Sequence, residues 1–162
     1  VLMQPLPNVQ PITVAALLVG AHLGVRRGVA FAILATLLSN LLISHGWWTL
    51  FQAAGWSLVA VIGARANLIQ NGELRMPRLA VVSVVAALLF GFVSTLSLVT
   101  SSMTPGAFAV LLGQGWPFDA VHALGNLVFV VWMAPSLHQF LSGLAASETE
   151  SLAVGEVHGV DA

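Results

Sequence analysis

Cysteine and lysine are both absent from this 162-residue chain, and only 7% of its residues are charged. Without cysteine there are no disulfides and no thiolate metal sites. A water-soluble domain carries about 25% charged residues, so this chain lacks the means to cover its surface in water. Short chains have much surface for their volume, which sharpens the conflict. A surface facing lipid removes it. The formal net charge of −1 gives no basic footprint for nucleic acid. The signatures GxSxG, HExxH and GxxxxGK[ST] are missing, which leaves neither a hydrolase elbow, a zincin helix nor an ATPase loop of the chain's own.

What is present is apolar sequence in long runs; 58% of the residues are hydrophobic. Five segments stand out: Ile12–Val25, Val29–Ile43, Leu50–Ile62, Leu79–Val99 and Ala120–Leu141. They lack the period of two that a membrane barrel strand requires, so they read as helices. The fourth and fifth reach the roughly 20 residues that cross a bilayer. The first three are short, and half-spanning segments must be buried among neighbours because open backbone is costly in lipid. The expected fold is all-α: a polytopic membrane helix bundle over residues 1–144, with five transmembrane helices visible of an expected six. The first helix is expected to be truncated, since the chain starts at Val1 on an apolar stretch. Ala107–Leu112 is too short to span and is expected in an outer loop. Residues 145–162, with Glu148, Glu150, Glu156 and Asp161, are expected to form a disordered acidic cytoplasmic tail. Asn71-Gly72 signals a turn.

Every basic side chain is an arginine, and the five fall in two places: Arg26 and Arg27 between segments one and two, and Arg65, Arg75 and Arg78 between three and four. Basic loops favour the cytoplasmic side. The loops at Ser44–Trp48 and Ser101–Trp116, and the stretch Pro5–Pro11, are then outside. Both termini of a full-length, six-helix protein are expected in the cytoplasm, in the plasma membrane of a prokaryote.

Three aromatic and polar clusters fall on that outer side. They are Asn8-Val9-Gln10, then His45-Gly46-Trp47-Trp48-Thr49 with Gln52 and Trp56, and Gln114-Gly115-Trp116-Pro117-Phe118. Two readings stand side by side. One is an interfacial tryptophan belt. The other is a pocket in which Trp47, Trp48 and Trp116 enclose a flat ligand while Asn8, Gln10, Gln52, His122 and Asn126 orient it. Asp119, His122 and Asn126 share one helix face by their spacing of three and seven. Asp119 is either the N-cap of the last helix or a ligand contact, because acids in apolar segments usually face an interior or a cavity. Asn40 serves either helix–helix bonding or the ligand. Ala16, Gly20 and Gly24, followed by Gly28, form a small-residue stripe for close helix packing, within the chain or against a partner subunit. No metal site or cofactor is expected; one Asp and one His fall short of the three protein ligands of a zinc site.

Three motifs, in order, resemble the substrate-binding S components of energy-coupling factor (ECF) transporters. They are Pro7-Asn8-Val9-Gln10-Pro11 with Gly24-Val25-Arg26-Arg27-Gly28 and Ser39-Asn40; then Ser44-His45-Gly46-Trp47-Trp48-Thr49-Leu50-Phe51-Gln52-Ala53, similar to a Gly-Gln-Gly-Pro-Trp-Thr-Pro-Trp-Gln-Met loop of one branch; then Pro117-Phe118-Asp119-Ala120-Val121-His122-Ala123-Leu124-Gly125-Asn126. The likeness covers about Pro5 to Leu141. The middle loop departs from it, with Trp47 and Leu50 for prolines and Phe51 for a tryptophan. The resemblance implies a six-helix binder of a vitamin, or of a cobalamin-related compound, captured from outside. Its partners would be a transmembrane coupling subunit, docked on small residues of the first helix, and two cytoplasmic ATPases. It implies transport without chemistry on the ligand. A small membrane enzyme using Asp119 and His122, or a ligand-free structural subunit, are the alternative classes.

Overall fold

A computed structural model describes the backbone of residues 8–159 and the side chains as far as Ser147. The chain is mostly helical: α1 (Ile12–Ile43), α2 (Trp48–Arg65), a hairpin of β1 (Ile69–Gln70) and β2 (Glu73–Leu74), α3 (Met76–Thr95) with a 3-10 turn at Leu96–Leu98, α4 (Pro105–Trp132) and α5 (Ala134–Gly159).

α1 is helical on both sides of Gly24, which stands at φ 80°, ψ 175°. A Cβ built on Gly28 would lie 2.9 Å from the Gly20 Cα. Two residues eight apart in one straight helix are separated by about 12 Å. The chain therefore reverses at Gly24, in a conformation that glycine adopts without a side-chain penalty. The halves 12–23 and 25–43 correspond to the first two apolar segments of the sequence. The first half is only about 18 Å long. It is buried almost throughout: Thr13, Val14, Ala16, Leu17, Leu18, Val19 and Gly20 are all enclosed.

Small residues make that enclosure possible. A Cβ on Gly20 would strike the Ala60 carbonyl, and one on Gly63 would strike the Leu17 carbonyl. The first half of α1 thus touches α2 backbone to backbone, while Gly28 of the second half closes on Gly20 and Ala60. Ala16 and Gly20 are consumed by contacts inside the chain, and Gly24 is an exposed turn residue. The expected partner-docking stripe is, in this fold, a packing stripe and a reversal.

α2 ends with Asn67 at φ 48°, a left-handed terminator. Asn71 (φ 53°) and Gly72 (φ 80°) then make the tight hairpin turn anticipated from their sequence, with Ile69 opposite Leu74 and Gln70 opposite Glu73. α3 and α4 run antiparallel: Asp119 lies on Gly91, and Asn126 bonds to Ser83.

Three expectations are corrected. Ala107–Leu112 is not a loop; it lies within α4, which starts with Thr104 accepting from the Ala107 amide at 3.2 Å and Pro105 in the first turn. The fifth segment is not one straight span. α4 and α5 meet at a 61° bend, just before Pro135, whose ring cannot donate to the Val131 carbonyl and crowds it. The acidic segment, expected to be disordered, has a helical backbone to Gly159; its side chains beyond Ser147, like residues 1–7 and 160–162, lie outside the described residues.

Two helices, Ile12–Ile43 and Met76–Leu98, are long and apolar enough to cross a membrane, or three if the bent α4–α5 pair is one span. The reversal at Gly24 qualifies the first of these, because its residues do not run in one direction. The outward faces are apolar: Leu34, Leu38, Leu41 and Leu42 on α1, Val81 and Val85 on α3, Leu124, Val128 and Trp132 on α4. Leu42 is 76% exposed and Trp132 72%. A patch of this extent is out of place on a soluble monomer and is what a lipid-facing surface requires.

Packing at the reversal is open to a direct check. Gly63→Ala, whose new methyl has only backbone to displace, is expected to destabilise the protein by ~1–3 kcal/mol in thermal unfolding in detergent. Gly24→Ala is expected to cost about 1–3 kcal/mol for its positive-φ, essentially glycine-only backbone. Gly143→Ala, with open space around it, is expected to stay within about 0.5 kcal/mol of wild type.

Candidate functional site

Two groups of polar residues bear on a site, one at an end of the bundle and one in its interior. The first closes the turn between α1 and α2. Asn40 Nδ2 donates to Gln52 Oε1 at 2.7 Å and to Thr49 Oγ1 at 2.9 Å. Thr49 Oγ1 also lies 3.5 Å from His45 Nδ1 and accepts weakly from the Gly46 amide at 3.4 Å. Thr49 is buried, and its hydroxyl is the hub. Asn40, His45 and Gln52 are thus engaged with each other's turn rather than with an open cavity. This is the helix–helix bonding role weighed for Asn40.

The second group is buried in the middle of the bundle. His122 and Asn126 of α4 are both 0% exposed. His122 Nε2 shares a hydrogen bond of 2.8 Å with Thr13 Oγ1 in the first turn of the short central helix. Asn126 Nδ2 donates to the Ser83 carbonyl of α3 at 2.9 Å. Trp56 of α2 and Phe90 of α3 stack at 3.7 Å between centroids, and both present themselves edge-on to the His122 ring, at 5.7 and 5.6 Å. Two atoms of this cluster, His122 Nδ1 and Asn126 Oδ1, have no hydrogen-bond partner. A buried polar atom left in that state costs about 1–3 kcal/mol, so each one calls for a reason.

Asp119 sits one turn before His122, well inside α4, and so is not the N-cap of a helix beginning there. Its carboxylate rests on Gly91, where any side chain would collide with it. It makes no hydrogen bond or ion pair with a described residue, His122 included. Asn8, at φ 62°, donates to the Phe118 carbonyl at 3.1 Å and lays the N-terminal stretch across α4, with Val9 against Gly125. Gln10 is half-buried beside it.

The three tryptophans expected to form the ligand's walls are spread over the surface. Trp47 is 65% exposed, Trp48 43% and Trp116 63%. They make no ring contact with one another; Trp47 meets Phe51 edge-on. Of the expected aromatic residues only Trp56 is enclosed. Its stacking partner Phe90 and the hydrogen-bonding Thr13 and Ser83 were missed in the sequence. Ser83 carried a faint signal, as a lone polar residue in the first half of the most apolar segment. Thr13 and Phe90 carried none, because their role depends on which helices meet.

At the opposite end His22 Nε2 and His138 Nδ1 lie 3.0 Å apart, and His138 Nε2 lies 3.2 Å from the Gly72 carbonyl. This ties the Gly24 reversal, the hairpin and the start of α5 together, and brings the two arginine loops to one end. Among the described residues no three acidic or histidine side chains gather as a metal site. An apolar groove of about 410 Å³ runs along α4 between Val9 and Trp132.

The chain belongs to a family of unknown function, DUF6580, whose model matches residues 1–146. No curated protein and no solved structure matches it.

The two polar groups are expected to respond differently to truncation. Thr13→Val removes the one partner of His122 Nε2 at nearly constant volume, and a loss of ~1–3 kcal/mol is expected in detergent unfolding. Trp47→Ala, at an exposed site, is expected to shift stability by less than about 0.5 kcal/mol.

Proposed function

We propose that this DUF6580 member is a multi-pass membrane protein that binds a small, partly polar ligand and hands it to an ATP-driven partner, as an S component of an ECF-type transporter does. One observation carries the binding reading. The fold buries a histidine and an asparagine side by side on α4, gives each a single partner, and leaves the other polar atom of each unused beside a stacked Trp56–Phe90 pair. A site for a flat molecule with a few polar atoms needs this combination of aromatic area and sparse hydrogen-bonding groups. The Asn8 contact to Phe118 lies one helical turn from His122 and caps the cluster toward the nearer end.

The transporter reading adds the order of the three motifs and the bare catalytic inventory. Asp119 and His122 are not hydrogen-bonded to each other, which favours binding over acid–base chemistry. Energy would come from ATP hydrolysis on separate subunits. The arginine end, with Arg26, Arg27, Arg65, Arg75 and Arg78, would face the cytoplasm, and the Asn40–Thr49 turn the outside. Trp47, Trp48 and Trp116 would then stand at headgroup depth.

The ligand question is answered by purifying the full chain in mild detergent and extracting it for mass spectrometry. A co-purifying small molecule near one per chain, lost on His122→Ala or Asn126→Ala, is the expected result. No retained molecule, and no tryptophan fluorescence response to vitamins or corrinoids at micromolar concentration, would count decisively against it. Orientation is checked separately, since the chain has no cysteine to interfere. Ser44→Cys should react with an impermeant maleimide in intact cells, and Gln70→Cys only after lysis.

A further inference from the structure

The unused polar atoms have a common character that narrows what would satisfy them. Asp119, His122 and Asn126 succeed one another along the face of α4 that meets α3. Asp119 offers a carboxylate with no partner among the described residues. Asn126 offers Oδ1, an acceptor that burial has sealed off. His122 offers Nδ1, sealed off in the same way. On the facing helix Ser94 Oγ, one turn beyond Gly91, is also buried without a partner. Two of these groups, including the only one able to carry a negative charge, can do nothing but accept hydrogen bonds.

Among the described residues none donates a hydrogen bond to them. All five arginines lie at the far end, Arg26 and Arg27 just past the Gly24 reversal in α1, Arg65 at the end of α2, and Arg75 and Arg78 at the start of α3. An acid set against apolar helices with no described cation beside it is costly, and a cationic group of a ligand would offset that cost. The seat has been shaped for the carboxylate: Gly91 has no side chain, and any Cβ there would collide with it. Phe90, the preceding residue, belongs to the stacked aromatic wall. An aromatic face beside an acid suits a cation bonded to an organic body.

We infer that the α3–α4 seam of Asp119, His122 and Asn126 receives the cationic, hydrogen-bond-donating end of a ligand, a protonated amine or amidine, with the Asp119 carboxylate as its counter-ion. This rests on the ligand-binding reading above and adds a charge to the ligand. His122 and Asn126 are closed off by the Asn8–Phe118 contact and the α3–α4 packing, so the seam admits the ligand only when that end opens.

The test uses the purified full chain and three probes of similar shape: 2-phenylethylamine, 2-phenylethanol and 3-phenylpropionate. Binding is followed by tryptophan fluorescence and thermal shift, at up to about millimolar probe. The amine is expected to bind about tenfold or more tighter than the alcohol, and the acid weakest. Asp119→Asn is expected to erase the preference for the amine, while Asp119→Glu, which keeps the charge, retains it. Gly91→Ala, which fills the seat and leaves the acid in the sequence, should weaken the amine selectively. Equal binding of amine and alcohol, no amine binding, or an unchanged preference in a folded Asp119→Asn protein overturns the inference. The ligand-binding reading is judged apart from it. A co-purified ligand without a basic nitrogen overturns the cation and leaves binding intact, whereas a protein that takes up no small molecule of any class loses both.

Discussion

The fold depends on sealing a helix that is too short for a membrane. The half 12–23 of α1 extends about 18 Å, against a hydrocarbon core of about 30 Å. Its ends carry backbone groups that cannot be left facing lipid. The chain solves this by wrapping it. The second half of α1 turns back along it at Gly24, α2 presses on it backbone to backbone at Gly20 and Gly63, and α4 and α5 close the remaining sides through Thr13–His122 and His22–His138. Side chains at Gly20, Gly28 or Gly63 would hold these helices apart. The glycines are therefore not flexible joints but the condition for the central helix to be enclosed.

From that enclosure follows the division of polar residues. At one end Asn40, Thr49 and Gln52 satisfy each other and hold the α1–α2 turn. At the other His22, His138 and the hairpin carbonyl do the same. Between them the first turn of the central helix brings Thr13 to His122, and the cluster there is only half satisfied. Structural networks of this size usually close on themselves, because an unmet buried group costs more than a net hydrogen bond gains. Among the described residues the incomplete pairing is confined to this region, beside stacked rings and a half-buried acid.

Several features were legible from residue order. The break between the first two segments was marked by Arg26 and Arg27, Asn71-Gly72 announced a turn, and the face shared by Asp119, His122 and Asn126 followed from spacing alone. Others were misread for local reasons. Pro117 looked like the entrance to a helix, and it lies inside one that Thr104 and Pro105 had begun earlier. The last apolar run looked continuous because hydropathy is blind to Pro135. Tryptophans clustered with glutamines and asparagines allowed either a pocket wall or an interfacial belt, and exposure is set by neighbouring helices: Trp47, Trp48 and Trp116 stand exposed.

By itself, then, the sequence determined the solvent and the elements. Few charges, long apolar runs and five clustered arginines specify helices suited to lipid and a distinction between the two ends, since these depend on composition and short-range order. Only the tertiary structure decided which small residues became contacts, and which polar residues became partners. Thr13 and His122 are 109 positions apart, and nothing local to either predicts that they meet. Asp119 had been singled out as the acid of an apolar segment. Its lack of a partner became visible only once the five arginines were placed at the far end of the bundle and Gly91 was found beneath the carboxylate.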